Sequence, residues 1–434
     1  MSFQPLLAFE SLEQQASYQN KELVKALKYL QERSPFYKKL FTANDIDVAT
    51  IQTVAELHRL PTTSKSDMQE HNMEFLCVPA SDVKEYTATS GTMGQPVYIA
   101  LTENDLNRLT YNEEQSFRCA DGSDKNIYQL MLTLDRQFMA GMAYYMGIRQ
   151  LGGTVIRSGP GLPSMQLHTI EQLQPDSLVA VPSFLLKLTE YAREKKIKLS
   201  DMPVQKAICI GENIRQADFE LNALGNKIME DWPIKLYSTY ASTEMQTAFT
   251  ECGHGRGGHQ QPDLIIIEIL NEQGDVLPDG AYGELVITTL GVEAMPLLRY
   301  RTGDICAAYS EPCACGRKTR RLSPIVGRSQ QMIKYKGTTL YPPAIFNILN
   351  EIAFIKEYVV EVYTNNLETD EIRLHINTPL PVDECETRLK PLLQSKLRVI
   401  PALQFHSAAK MQEMQFPTGS RKQVKFIDNR KMSL

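Results

Sequence analysis

The sequence predicts an α/β protein: a large N-terminal domain on mostly parallel sheet with a β-rich lobe, then a small mobile α+β domain. Three observations carry that expectation. Between residues 103 and 213 short apolar runs alternate with helix-patterned stretches, the mark of βαβ units and parallel pairing. From Leu264 the pattern turns to strand-like runs separated by turn residues, and after Gly327 a compact α+β pattern restarts. With 434 residues the chain exceeds one ordinary domain, and the boundaries expected are 1–328 and 329–434.

Taken in order, residues 10 to 33 have helical spacing, with Leu23, Leu27 and Leu30 on one face. A second helical stretch surrounds Val54 to Leu60, followed by a polar turn or cap over Pro61–Asp67. Val97–Leu101 reads as a buried strand, Glu103 to Arg118 as a helix and Ile127 to Leu134 as a strand. Strands at Thr154–Ile156, Leu178–Val181 and Lys206–Ile210 continue the alternation, with a helix from Pro182 to about Lys195. Ile265–Leu270 and Gly283–Thr289 pair across the Asn271–Asp275 turn, and Asp304–Tyr309 adds a further strand. Beyond Gly327 a helix near Ala344–Ile352, strands at Tyr358–Tyr363 and Glu371–Asn377 and a helix over 382 to 397 precede a polar tail, 409 to 430.

Composition narrows the functional classes. A net charge of −5 offers no global attraction to nucleic acid or an anionic membrane. No run approaches the length of apolar residues that a transmembrane helix needs. The first residues lack a basic start and an apolar signal core, so the cytoplasm is the expected compartment. In that compartment four of the eight cysteines, scattered in apolar or helical surroundings, are expected reduced and buried.

The stretch Thr89-Ser90-Gly91-Thr92-Met93-Gly94-Gln95-Pro96 carries three hydroxyls and two glycines. Such a loop turns backbone N–H groups and hydroxyls towards a polyanion, a triphosphate being the natural guest. It is not a Walker A loop, because no Gly-Lys-Ser/Thr closes it. Downstream stand Tyr237-Ser238-Thr239-Tyr240-Ala241-Ser242-Thr243-Glu244, then Arg299–Asp304, Gly327-Arg328-Ser329 and the tail run Arg421–Asp428. In order and spacing these motifs resemble the adenylate-forming superfamily of acyl- and aryl-CoA ligases. Pro35-Phe36-Tyr37, Leu60–Lys65, Pro182-Ser183 and the Phe138 stretch resemble its phenylacetate–CoA ligase family.

The resemblance implies ATP-dependent activation of a carboxylic acid, aryl by family, as an acyl-adenylate, followed by thioester formation with coenzyme A. It implies that Thr89, Ser90, Gly91, Thr92 and Gly94 hold the β/γ-phosphates and that Glu244 holds Mg²⁺, a hard cation suited to carboxylate oxygen. Tyr240 with Ala241, Ser242 and Thr243 would meet the adenine, lined by Gly211 and Glu212. Asp304 would take the ribose hydroxyls, with Arg299, Arg301 and Arg317 as rival ion-pair partners, and Arg328 would donate to ribose or phosphate. Phe138, Ala140, Gly141, Ser238 and Thr239 would line the acid pocket. Lys422 would bridge carboxylate and α-phosphate as a compact charge on a flexible stem.

Departures from the family pattern are Gln95 in the phosphate loop, Gln330 at the expected hinge and Arg421 before Lys422. They favour one alternative, a nucleotide-binding protein that has lost catalysis; a second, an enzyme that loads a carrier protein instead of CoA, shares the same first half-reaction. A homodimer is expected from the family.

A second constellation pairs Cys252-Gly253-His254 with Cys313-Ala314-Cys315. Soft ligands in glycine-containing loops suit tetrahedral Zn²⁺. Cys252, His254, Cys313 and Cys315 are the expected ligands, with His259 as the alternate for His254, and four protein ligands make the site structural.

Overall fold

A computed structural model describes residues 3–89, 96–336, 338–365, 369–417 and 423–430. The chain forms two compact units, Met1–Leu221 with Gly225–Pro324, and Asn222–Leu224 with Ile325–Leu434.

The larger unit is built on a nine-stranded sheet. Five strands are parallel, in the spatial order Thr154–Arg157, Ile127–Leu130, Ser177–Ala180, Lys206–Ile210 and Lys235–Ser242. The three inner strands, Ile127–Leu130, Ser177–Ala180 and Lys206–Ile210, are buried almost throughout, as strands sandwiched between helices require. Antiparallel neighbours then extend the sheet: Thr247–Glu251, Gly258–His259, Arg321–Leu322 and Ala308–Tyr309.

Local chemistry sets the helix boundaries. Ser11 starts the helix Leu12–Arg33 through a reciprocal cap with Gln14, and Leu23, Leu27 and Leu30 are buried on one face. Pro182 opens the helix Pro182–Glu194, where its missing N–H costs nothing. Gly152, at φ +93°, ends the helix Met139–Leu151 in the left-handed conformation that glycine adopts freely. That helix begins at Phe138 and spans the stretch expected to line the acid pocket.

Two smaller pairings position the site. Glu85–Ala88 pairs antiparallel with Tyr98–Leu101, so the glycine-containing loop joins adjacent strands. Ile265–Leu270, Gly283–Thr289 and Tyr300–Cys306 form an antiparallel set, which begins four residues earlier than the expected Asp304 strand.

In the smaller unit Glu357–Thr364 and Asp370–Asn377 pair antiparallel, with Ala402–Phe405 and Phe426–Asn429 added in parallel on the two sides. The described parts of the polar stretch 409 to 430 belong to this unit's fold. The helix Ala408–Gln415 buries Met411, and Phe426–Asn429 completes the sheet. Among the described residues no helix is long and apolar enough to cross a membrane.

Candidate active site and metal centre

The phosphate-binding candidates begin at a closed loop base. Thr89 N–H donates to Val97 O at 2.9 Å, and Val97 N–H donates back to the Thr89 hydroxyl at 3.1 Å. Thr89 is buried, and its hydroxyl accepts from the loop itself while its O–H remains a donor. Ala88 N–H donates to Gln137 O at 3.1 Å, tying the loop to the turn before Phe138. Ser90, Gly91, Thr92, Gly94 and Lys422 lie outside the described residues.

Glu244 follows the carboxyl end of the strand Lys235–Ser242, where open α/β sheets bind ligands. It is buried, and Lys65 Nζ lies 3.7 Å from its Oε1. Lys65 is the first residue of a short helix whose start is held by Ser64 and Asp67 in a reciprocal cap. The segment before it is stitched to the Arg299–Asp304 motif: Thr63 N–H donates to Arg299 O at 3.0 Å and Arg301 N–H to Thr63 O at 2.8 Å. Sequence reasoning gave Lys65 no role, although the run Leu60–Lys65 carried part of the resemblance.

Tyr240 OH donates to Asp304 Oδ2 at 2.7 Å. Burial, then the neighbouring carboxylate, pushes the phenol well above its usual 10, so it remains a donor. The rival partners of Asp304 are engaged elsewhere. Arg299 forks onto Glu268 at 3.0 and 2.9 Å, Arg301 pairs with Glu284, and Arg317 donates to Cys315 Sγ at 3.6 Å. Gly303, at φ +78°, gives its N–H to Glu284 at 3.0 Å and lets the strand turn at Asp304.

Gly211 sits at φ +73° at the end of the strand Lys206–Ile210, with open space where a side chain would stand. Glu212 takes hydrogen bonds from Ser183 N–H at 2.9 Å and Ser183 OH at 3.0 Å. Its carboxylate thus rests on the amino end of the helix Pro182–Glu194, a favourable place for negative charge. Two motifs read separately in the sequence form one corner.

Ser238 N–H donates to Glu251 at 2.8 Å, and Thr239 shares a hydroxyl hydrogen bond with Thr250 at 3.0 Å. Phe138 caps its helix and is partly exposed, Ala140 is half-buried, and Gly141 packs against the Thr133 and Leu134 backbone so closely that no Cβ fits. Ala241 is exposed, while Ser242 and Thr243 are half-buried. Arg328 belongs to the smaller unit, where it is exposed.

The metal-ligating candidates converge on the antiparallel edge of the large sheet. One ligand atom from each of Cys252, His259, Cys313 and Cys315 lies within 4.8 Å of the others. Cys252 Sγ is 3.6 Å from Cys313 Sγ, and Cys315 Sγ is 3.6 Å from His259 Nε2. These separations match the edges of a tetrahedron with metal–ligand bonds of about 2.0–2.3 Å. The structure replaces His254, the favoured fourth ligand, with His259. His254 is exposed in the turn ending at Gly255 and contributes its backbone N–H to Cys252, whereas His259 is buried on a strand between Thr250 and Arg321.

The ring of His259 is oriented by Thr319 Oγ1, 2.9 Å from Nδ1, as outer partners orient metal-bound imidazoles. Burial pushes the Cys315 thiol up, but the His259 and Arg317 hydrogen bonds outweigh it and hold the thiol down at about 5. It is therefore a thiolate at neutral pH, the form that binds metal. Burial pushes Cys252 up to about 12 and lowers His259 below its usual value, keeping the imidazole neutral.

Comparison with known proteins identifies a family, relatives and a shared fold. The family described as AMP-binding enzyme matches residues 22–294. A phenylacetate–coenzyme A ligase of Thermus thermophilus is 29% identical over 390 residues, covering 88% of this chain and 85% of that one. The Escherichia coli protein of the same name is 28% identical over 337 residues, covering 76% and 75%. A crystal structure of 2-hydroxyisobutyryl-CoA ligase with its acyl-adenylate superposes with a TM-score of 0.84 at 19% identity, over 98% of this chain and 92% of that one.

Proposed function

This chain belongs to the AMP-binding enzyme family, and from that premise we propose that it is an ATP-dependent acid–CoA ligase. The observation that carries the proposal is the pairing of Glu244 with Lys65 and of Tyr240 with Asp304, beside one strand's carboxyl end. In the first half-reaction a carboxylate oxygen of the acid attacks the α-phosphorus of ATP and pyrophosphate leaves. In the second the sulfur of coenzyme A attacks the acyl carbon and AMP leaves.

Catalysis of this kind is mostly positioning and charge stabilisation. The loop from Thr89 to Pro96 receives the β/γ-phosphates. Lys65 supplies the cation that Gln95 does not. Glu244 fits Mg²⁺, which when bound neutralises phosphate charge. Tyr240 meets the adenine, and its hydroxyl orients Asp304 towards the ribose. Glu212, held by Ser183, shapes the corner that lines the base. Arg328 donates to ribose or phosphate, and Lys422 bridges the carboxylate and the α-phosphate. The acid is aryl, received beside Phe138, Ala140 and Gly141, where bulky Met139, Met142, Tyr144 and Tyr145 follow on the same helix. CoA, rather than a carrier protein, is the acceptor, in keeping with the names of the relatives.

Cys252, His259, Cys313 and Cys315 are the proposed ligands of a structural Zn²⁺, which cross-links two loops and leaves no open position. The cation's charge reverses the burial that keeps Cys252 protonated.

Pyrophosphate release with ATP and Mg²⁺, measured over aryl and aliphatic acids with and without CoA, tests the reading. Release that requires an aryl acid, with a CoA thioester accumulating, is expected. Acid-dependent release without thioester would move the acceptor to a carrier protein, and no release with any acid would overturn the assignment. Lys422→Ala is expected to abolish adenylation with the fold intact.

A further inference from the structure

A cleft of about 610 Å³ opens beside the metal cluster, within the larger unit. Its size is that of a small-molecule site, typically about 300–1,000 Å³. None of its lining residues belongs to the set assigned above to nucleotide or acid; Cys313 alone is shared, with the metal cluster.

Three features show that the cleft is built. The first is a strained aromatic wall. Phe219 stands at φ +71°, a conformation that a bulky L-residue enters only when its surroundings impose it. They do: Phe219 N–H donates to Gln216 O at 2.9 Å, and Phe219 O accepts from Arg215 Nη1 at 2.9 Å. Arg215 is itself clamped by both oxygens of buried Glu251, at 2.7 and 2.9 Å. The Phe219 ring meets Tyr309 edge-on, centroids 5.6 Å apart, so two aromatic surfaces face the cleft.

The second feature is a buried tie across its base. Arg321 donates to Arg256 O at 2.7 Å and to Glu311 O at 3.1 Å, joining the two loops that carry the cysteines. The third is an exposed cation. Gly255 and Gly257, at φ +59° and +97°, turn the loop so that Arg256 and His254 stand out at the cleft. Among the described residues Arg256 reaches an exposed Glu220 carboxylate at 4.0 Å and the Asp218 carbonyl at 3.4 Å. Exposed pairs of that kind are worth little, so a ligand anion can displace Glu220.

We propose that this cleft is a second binding site, which takes a planar aromatic anion between the Phe219–Tyr309 wall and the Arg256 guanidinium. Aryl carboxylates and purine nucleotides share that chemistry. A ring stacked on aromatic faces with its anion on a guanidinium uses both groups that the cleft holds out.

Calorimetric titration of the full metal-loaded chain, with the active site saturated by a non-hydrolysable acyl-adenylate analogue, tests this. The probes are 1-naphthoate, AMP and acetate. Saturable binding of 1-naphthoate or AMP is expected, with acetate at least about tenfold weaker. The probe that binds identifies which kind of aromatic anion the site takes. Arg256→Glu and Phe219→Gly are each expected to weaken binding by about tenfold or more. Phe219→Gly also relieves the positive φ, which offsets part of the packing lost with the ring, so its melting temperature should fall only slightly. Failure of both aromatic probes to saturate, acetate binding as tightly as they do, or unchanged affinity in both variants would overturn the proposal.

Discussion

The parallel and antiparallel halves of the large sheet solve different problems. In the parallel half the strands are four to eight residues long, and the three between Thr154–Arg157 and Lys235–Ser242 are buried almost throughout, so the sheet holds its own shape. Its carboxyl ends can then carry polar groups held by hydrogen bonds alone, as Glu212 is by Ser183 and Tyr240 by Asp304 of the separate antiparallel set. In the antiparallel half three of the four strands are two residues long. A ladder that short gives little stability by itself, and there the chain gathers three cysteines and a histidine. One region holds polar groups out at its strand ends; the other gathers them where its ladder is shortest.

That contrast predicts opposite consequences for substitutions on either side. The largest effect on activity should come from Glu244→Gln. It should lower acid-dependent pyrophosphate release by about 10²–10³-fold, the usual cost of one charge-stabilising group, with the melting temperature unchanged. Lys65→Ala should follow the same pattern more weakly. A large fall in melting temperature for either would break the comparison.

Cys315→Ser should do the reverse, abolishing zinc retention and lowering the melting temperature, by about 1.5 °C per kcal/mol for a unit of roughly 320 residues. Elemental analysis with scanning calorimetry measures both. Thr319→Val, which removes the partner of His259 Nδ1, should weaken zinc affinity by about 10–100-fold while leaving the four ligands in place. Tyr240→Phe should raise KM for ATP by about tenfold with little change in kcat, because it removes one hydrogen bond to a charged group.

The smallest effect concerns the seam between the halves. Glu113 lies on the helix Glu103–Cys119, whose Asn112 accepts Ala248 N–H from the first antiparallel strand. Burial pushes the Glu113 carboxyl up to about 8, and its Oε2 has no hydrogen-bond partner among the described residues. With the folded value above the unfolded one, the neutral carboxyl costs the fold nothing below about pH 4.5, and stability falls as pH rises from there to about 8. Glu113→Gln should therefore gain little at pH 5 and most at pH 8, read as the difference in melting temperature. An equal gain at both would mean that Glu113 is already ionised in the fold.

Much of this was legible in the sequence, for local reasons. Helix starts such as Ser11 and Pro182 and the buried parallel strands announce themselves through caps and short apolar runs. What escaped is set by distant partners. Phe426–Asn429 reads as polar tail because its burial depends on pairing with Glu357–Thr364. Lys65 reads as a solvated lysine because its carboxylate partner lies far along the chain. His254 fits a Cys-x-His spacing better than His259 does, but spacing does not say which way a side chain points. The turn at Gly255 sends one imidazole outward, and the strand pairing of His259 sends the other in.

The most direct test of the division between the two halves is zinc content and turnover measured together on Cys315→Ser, well below its melting temperature. The account predicts that zinc is lost while acid-dependent pyrophosphate release per folded molecule stays within about twofold of the parent, as for a structural metal. Loss of turnover in step with zinc, with the fold intact, would contradict it.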